Sequence, residues 1–358
     1  MNVLIAAGGT GGHIYPGIAV AQEIMRRDAG SKVRFVGTAR GLETRLVPQA
    51  GFELSLIESA GLKNVTLVAR MRGFVLLPRS FVSAWALIRQ FRPDVVVGAG
   101  GYVSGPVVMV AAMTNRRTLV MESNALPGVT NRMLARFVNR AAVSFEQALP
   151  FFRGKGVVTG NPVRREFFEI PPKQREPGKL SLLIFGGSQG ARAINDGMIA
   201  ALKLLESLRT SLRIKHQTGP SDFEKVKKAY AAGGWSEQAE VSSYIDNMMA
   251  DFAAADLVIC RAGATTTAEL IAAGKASIMI PFPFAADDHQ RKNAEALEAS
   301  GASKMILQQD LNGERLASEI KRLVNVPEEI DRMETASRKL AHGDAAVSVV
   351  DLIEQLIR

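Results

Sequence analysis

A single cysteine, Cys260, stands in a chain of 358 residues. One thiol closes no internal disulfide and supplies no paired thiolates for a structural zinc site, which points to a reducing compartment. Aromatic residues are scarce at 6%, and no DxD, HExxH or CxxC pattern occurs. No metal site and no cofactor are therefore expected. The opening MNVLIAAGGTGGH lacks the basic region and cleavage signal of a secretory leader and reads as a first strand. One uncharged stretch, Val95 to Asn115, reaches about the length of a membrane span. Gly98, Gly100, Gly101, Gly105 and Pro106 divide it into a strand, a glycine loop and a helix start, which argues against insertion.

What is present is apolar material. Hydrophobic residues make up 47% against 22% charged, enough to fill a core in each of about two domains. Disordered, collagen-like and disulfide-scaffold classes are excluded. The formal net charge of +9 is unevenly placed: residues 1–160 hold 19 basic and 8 acidic side chains, the remainder 25 and 27. Between Lys63 and Arg140 the count is 11 to 2. Such a field concentrates an anionic partner, whether nucleic acid, phospholipid or a phosphorylated substrate, although charge alone names none of them.

Short β-branched runs alternate with amphipathic stretches: Val3 to Ala7, Val33 to Val36, Val95 to Val97, Thr118 to Met121 and Val157 to Thr159, then Leu180 to Phe185, Leu212 to Gln217, Leu257 to Cys260 and Ser277 to Ile280. This is the pattern of βαβ units and a parallel sheet. Gly160-Asn161-Pro162, Pro171-Pro172 and Pro177-Gly178 separate the two series as a linker. Each series opens with an apolar strand, a glycine cluster and a helix. The expected fold is α/β, with two doubly wound Rossmann-like domains facing across a cleft. Their bounds are 1–161 and 162–342, with a closing helix in 343–358 packing back on the first. Ligands bind such sheets beyond the carboxyl ends of the strands.

In Gly8-Gly9-Thr10-Gly11-Gly12-His13, glycines after a strand let backbone N–H groups approach an anion, and the helix start adds partial positive charge. The spacing is not GxGxxG, and Val36-Gly37-Thr38 ends the second strand without an acidic residue for a nicotinamide ribose, so a dehydrogenase is disfavoured. His13 suits a base or a donor to phosphate; the alternative is a histidine that caps the helix. Gly186-Gly187-Ser188-Gln189-Gly190 repeats the device, with Ser188 and Gln189 as added donors, or is only a tight turn. Cys260 to Glu269, CRAGATTTAE, brings hydroxyls to another helix start. There Glu269 accepts ribose hydroxyls or is simply a favourable charge near a helix N-terminus. Gln290 and Asn293, in the loop and helix after Phe284, are placed to face the same pocket. Val65 to Trp85 mixes apolar residues with Arg70, Arg72 and Arg79, which suits either a membrane interface or a core helix.

GGTGGH, GGYVSGP (Gly100 to Pro106), GNPVR (Gly160 to Arg164), GGSQGAR (Gly186 to Arg192), CRAGATTTAE and DHQRKNA stand in one order and register. In this they resemble the peptidoglycan UDP-N-acetylglucosamine transferases of glycosyltransferase family 28, over nearly the whole chain. The resemblance implies a GT-B hexosyltransferase that moves N-acetylglucosamine from UDP-N-acetylglucosamine, with inversion, to the 4-hydroxyl of the muramoyl sugar of lipid I. That acceptor is an undecaprenyl-diphosphate-linked muramoyl peptide, and the product is lipid II, made peripherally at the cytoplasmic face of the inner membrane. By motif position, Ser188, Ile245, Ala264, Thr265, Thr266, Glu269 and Gln290 belong to the donor pocket, with Ile245 at the uracil and Glu269 on the ribose. Thr10, Gly11, Gly12, Asn124 and Arg164 complete donor binding; His13, Tyr102 and Asn124 meet the acceptor, with His13 the expected base. The first domain then takes the acceptor and an anionic membrane surface, the second the donor. Met121-Glu122-Ser123-Asn124 stands where the family commonly reads HEQN, and Ala262 and Thr265 stand where serine and leucine are frequent. Two other readings compete: a sugar-nucleotide epimerase on the same architecture, and a nucleic-acid binder. The latter lacks a reading motif, so no nucleic acid partner is expected.

Overall fold

The computed structural model describes residues 1–39, 41–58, 67–176, 178–187, 189–341 and 343–358, with backbone only for 67–77 and 286. The chain forms two compact units, one of residues 1–164 with the segment from 342 onward, the other of residues 165–341.

Among the described residues the first unit holds seven parallel strands, β1 (Asn2–Ala7), β2 (Lys32–Gly37), β3 (Glu53–Leu56), β4 (Val95–Gly100), β5 (Arg117–Glu122), β6 (Arg140–Val143) and β7 (Gly156–Val158). Their order is β3-β2-β1-β4-β5-β6-β7. The second holds six, β8 (Leu180–Phe185), β9 (Leu212–Gln217), β10 (Ala239–Ser242), β11 (Leu257–Cys260), β12 (Ala276–Met279) and β13 (Ser303–Met305), in the order β10-β9-β8-β11-β12-β13. All of these are parallel too. Both are therefore Rossmann-like α/β units, and each reverses its strand order once, between β1 and β4 and between β8 and β11.

Helices cover the sheets: α1 (Gly11–Arg27), α2 (Glu43–Gln49), α3 (Leu67–Phe91), α4 (Ser104–Met113) and α5 (Val129–Leu134) in the first unit. The second has α6 (Arg192–Leu202), α7 (Phe223–Ala232), α8 (Met248–Ala254), α9 (Ala264–Ala273), α10 (His289–Ala299), α11 (Gly313–Asn325) and α12 (Pro327–Lys339). The last helix, α13 (Ala345–Ile357), returns to the first unit.

Strands covered on both faces must be apolar along their whole length, and the pleat sorts their side chains. Leu4, Ala6 and Val96 pack with Val107 and Val108 of α4 on one face. Val3, Ile5, Val95 and Val97 pack on the other with Ile14 and Ile24 of α1 and Val349 and Ile353 of α13. Arg27 then ties α1 to α13, donating to Asp351 at 2.7 Å and Glu354 at 3.0 Å. The second unit fills its core with Leu182, Ile184, Leu257, Ile259 and Ile278 against Met198 and Leu202 of α6.

The uncharged stretch from Val95 to Asn115 folds as β4, a glycine turn and α4. Among the described residues no helix is long and apolar enough to cross a membrane. Four strands carry no signal in the sequence reading, β3, β6, β10 and β13. Each is three or four residues long, and β3, β10 and β13 are sheet edges.

Candidate functional site

Strand order makes the carboxyl ends of β1 and β4 the ligand-binding edge of the first unit. The turn Gly8-Gly9-Thr10 leaves β1 there. Thr10 is the N-cap of α1, so His13 lies inside the first helical turn and donates its backbone N–H to the Thr10 carbonyl at 3.1 Å. The histidine is therefore a helix residue and not its cap. The neighbouring turn leaves β4 through Gly100 and Gly101, both with positive φ, +116° and +81°. A Cβ on Gly100 would lie 2.3 Å from His13 Nδ1, and one on Gly101 would lie 2.2 Å from the Gly8 carbonyl oxygen. Only glycine permits this close packing of the two turns in that conformation. Tyr102 follows and is largely exposed.

Asn124, half-buried at the end of β5, shares the same edge. Its holder is Glu122, which sequence reasoning passed over. Glu122 is buried, and its Oε1 accepts from the Asn124 backbone N–H at 3.0 Å and from Asn124 Nδ2 at 3.1 Å. Its Oε2 accepts from the Gly128 N–H at 3.0 Å and Asn131 Nδ2 at 2.9 Å. The signal was a carboxylate at a strand end, two residues before a candidate site amide. Arg164, exposed, closes the first unit after β7.

In the second unit a cavity of about 720 Å³ opens at the β8 and β11 ends, a size suited to a nucleotide-sized ligand. Its walls include Gly186, Gly187 and Gly190 of the turn after β8, Gly263 and Thr266 at the start of α9, and Gln290 of α10. Gly190 (φ +75°) packs so closely that a Cβ there would lie 1.9 Å from the Thr218 carbonyl oxygen. Beneath it, buried His216 places Nε2 3.0 Å from Asn195 Oδ1 and Nδ1 3.0 Å from the Tyr230 hydroxyl. Asn195 Nδ2 in turn donates to the Thr218 carbonyl at 3.0 Å and to Asp222 at 2.9 Å. Desolvation lowers the His216 pKa to about 3, so the imidazole is neutral and acts as a brace.

Ala264, Thr265, Thr266 and Glu269 occupy the first turns of α9. Gln290 accepts from the Phe282 N–H at 3.0 Å and so fixes the loop after β12. Asn293, expected in the pocket, is fully buried and donates to the Ala262 carbonyl at 3.2 Å. Ile245 is buried in the loop between β10 and α8. Ser188 lies outside the described residues.

Arg261 was also missed, although it stands between the strand and the α9 turn that drew attention. Its guanidinium donates to the Ile280 and Pro281 carbonyls at 3.0 and 3.1 Å and to Gln308 Oε1 at 2.7 Å. It stacks over Phe282, 5.4 Å from the ring centroid, and burial lowers its pKa. One cation thus ties together three segments of the cavity wall.

Two glycine turns at two switch points, one beside a histidine and one in a cavity of nucleotide size, define the class of two-domain Rossmann-like α/β proteins with a candidate ligand edge in each unit. Comparison with known proteins narrows the class. Residues 3–143 match the glycosyltransferase family 28 N-terminal domain and residues 181–355 the family 28 C-terminal domain. A protein of Anaeromyxobacter dehalogenans is 47% identical over 100% of this chain and 94% of its own length. One of Geotalea daltonii is 45% identical over 98% and 96%. Both are named UDP-N-acetylglucosamine--N-acetylmuramyl-(pentapeptide) pyrophosphoryl-undecaprenol N-acetylglucosamine transferase. The crystal structure of Acinetobacter baumannii MurG superposes with a TM-score of 0.83 at 32% identity, covering 99% of each chain. The chain belongs to glycosyltransferase family 28 and is a hexosyltransferase. UDP-N-acetylglucosamine 2-epimerase from Neisseria meningitidis, at 14% identity and a TM-score of 0.70, shares the fold alone.

Proposed function

We propose that this chain transfers N-acetylglucosamine from UDP-N-acetylglucosamine to the 4-hydroxyl of the muramoyl sugar of lipid I, with inversion, releasing UDP and making lipid II for peptidoglycan. The observation that carries the reading is 47% identity along the whole chain to a relative bearing that transferase's name.

The second unit takes the donor. Backbone N–H groups of the Gly186–Gly190 turn and the N-terminus of α9 receive the diphosphate, whose departure as UDP is where positioned donors contribute most. Ser188, Ala264, Thr265, Thr266 and Gln290 line this subsite, Glu269 accepts the ribose hydroxyls, and Ile245 meets the uracil. The first unit takes the acceptor through His13, Tyr102 and Asn124, while Thr10, Gly11, Gly12, Asn124 and Arg164, outside the second unit's cavity, complete donor binding. His13 removes the proton of the attacking hydroxyl.

A basic, partly apolar face meets the anionic inner surface of the cell membrane and seats the lipid-linked acceptor. Val82 and Trp85 on α3, Met113 at the end of α4, and Met133 and Phe137 in and after α5 are exposed. Arg89, Arg116, Arg117, Arg132 and Arg136, on or beside the same elements, are exposed as well, and Arg89 stacks over Trp85. Charge and apolar surface together supply interfacial binding. The side chains of Arg70 and Arg72, expected in this role from sequence, lie outside the described residues.

The test is incubation of the full chain with UDP-N-acetylglucosamine and a soluble lipid I analogue. A disaccharide product with one UDP per transfer is the expected outcome. UDP or a new sugar nucleotide formed from donor alone would instead favour the epimerase reading.

A further inference from the structure

We propose that Glu43 positions the first glycine turn for transfer: by taking the Gly9 N–H it aims the Thr10–His13 start of α1, a role that rests on the transferase reading above. Glu43 is fully buried at the start of α2. Its Oε2 accepts from the Gly9 N–H at 3.0 Å. Its Oε1 accepts from the Thr38 N–H at 2.8 Å and the Thr38 hydroxyl at 2.9 Å. One side chain therefore joins the turn after β1 to the end of β2. Burial by itself would raise the carboxyl pKa, but the N–H groups of Thr38, Glu43 itself and Gly9, with the Thr38 hydroxyl, hold it below the ordinary glutamate value.

The backbone is shaped around this anion. A Cβ on Gly37 would lie 2.5 Å from Glu43 Cγ, and one on Gly41 would lie 1.8 Å from Oε2. The same turn is also packed against Gly101, where a Cβ would lie 2.2 Å from the Gly8 carbonyl oxygen. The constraint passes along the chain through Thr10, whose carbonyl accepts from the N–H groups of His13 at 3.1 Å and Ile14 at 3.3 Å. Because the Gly9 N–H is turned inward to Glu43, an anion arriving at this edge is met by the N–H groups from Thr10 onward and by the start of α1.

Glu43→Gln keeps the shape but turns an NH₂ toward the Gly9 or Thr38 N–H, so one donor loses its acceptor. Gly41→Ala leaves the carboxylate intact and displaces it sterically, which keeps the proposal testable if the first variant does not fold. Both are compared with the parent for kcat on UDP-N-acetylglucosamine and the lipid I analogue, and for UDP affinity by calorimetry. The expected result is a kcat reduced roughly 10- to 100-fold, the scale of a misplaced reacting group. UDP affinity should stay within about twofold, since its cavity belongs to the second unit. A folded variant of either kind with parental kcat overturns the proposal, as does an equal loss of kcat and UDP affinity, which marks general destabilisation. A parent chain that transfers no sugar refutes the transferase reading itself, and that failure is seen without any variant.

Discussion

Glu122→Gln provides the most demanding test of the first unit's loop architecture. Each carboxylate oxygen of Glu122 accepts from two donors, the Asn124 backbone and side chain on one, Gly128 N–H and Asn131 Nδ2 on the other. An amide retains one oxygen and faces the remaining two donors with an NH₂. Whichever way it settles, two N–H groups in a largely buried site lose their acceptor, at about 1–3 kcal/mol each. If the Asn131 side settles on the oxygen, half-buried Asn124 rehydrates in part, which places the loss near the lower end, about 2–3 kcal/mol. For a unit of this size each kcal/mol moves the midpoint by roughly 2–4 °C, so scanning calorimetry of the full chain should show the first unit's transition lowered by about 4–12 °C. With the oxygen on the Asn131 side, turnover should fall as well, because Asn124 loses both of its hydrogen bonds to Glu122. A transition within about 1 °C of the parent would mean that these four contacts do not carry the loop, and the reasoning from unpaired donors would be wrong.

Other expectations follow from the same geometry. His13→Ala should lower turnover of a soluble lipid I analogue by about two orders of magnitude, the scale of a general acid-base contribution; parental turnover removes His13 from proton transfer. Gly101→Ala forces a Cβ against the Gly8 carbonyl at positive φ and should cost about 1–3 kcal/mol, read by urea unfolding; no change would show that the two turns separate freely. Gln290→Ala releases the Phe282 N–H and should raise KM for UDP-N-acetylglucosamine about tenfold with little change in the acceptor KM, the size of one lost hydrogen bond. His216 is held neutral with a pKa of about 3, against an ordinary value near 6.5 in the unfolded chain. Its contribution is therefore complete above about pH 6.5 and declines as pH falls toward 3, because the unfolded chain takes up the proton first, by at most about 1.4 kcal/mol per pH unit. Unfolding curves of the parent and His216→Gln between pH 7 and 5 should differ in slope by that term, and parallel slopes would show that His216 titrates normally.

The long buried strands were legible because a strand packed on both faces has no polar position to interrupt it. Val3 to Ala7, Leu180 to Phe185 and Leu257 to Cys260 announce themselves as apolar runs, and the glycine clusters after the first two mark the turns at the ligand edge. The missed strands lacked that signature for physical reasons. Glu53–Leu56, Ala239–Ser242 and Ser303–Met305 are edges of three or four residues, only partly buried. Arg140–Val143 is buried but rests on two alanines, which carry little strand preference.

Local sequence by itself determined which segments become the long buried strands, where the backbone must turn through glycine, and that His13 and Thr266 stand next to such turns. Tertiary structure alone decided which carboxylates, amides and cations hold those turns in place. Glu43 reaches Gly9 across 34 positions, and Arg261 reaches Gln308 across 47. Asn293 reaches the Ala262 carbonyl across 31. Pairings of this kind arise only when strand order folds distant segments onto one edge. A buried donor must then find an acceptor in space, and its neighbours in sequence say nothing of which one it finds.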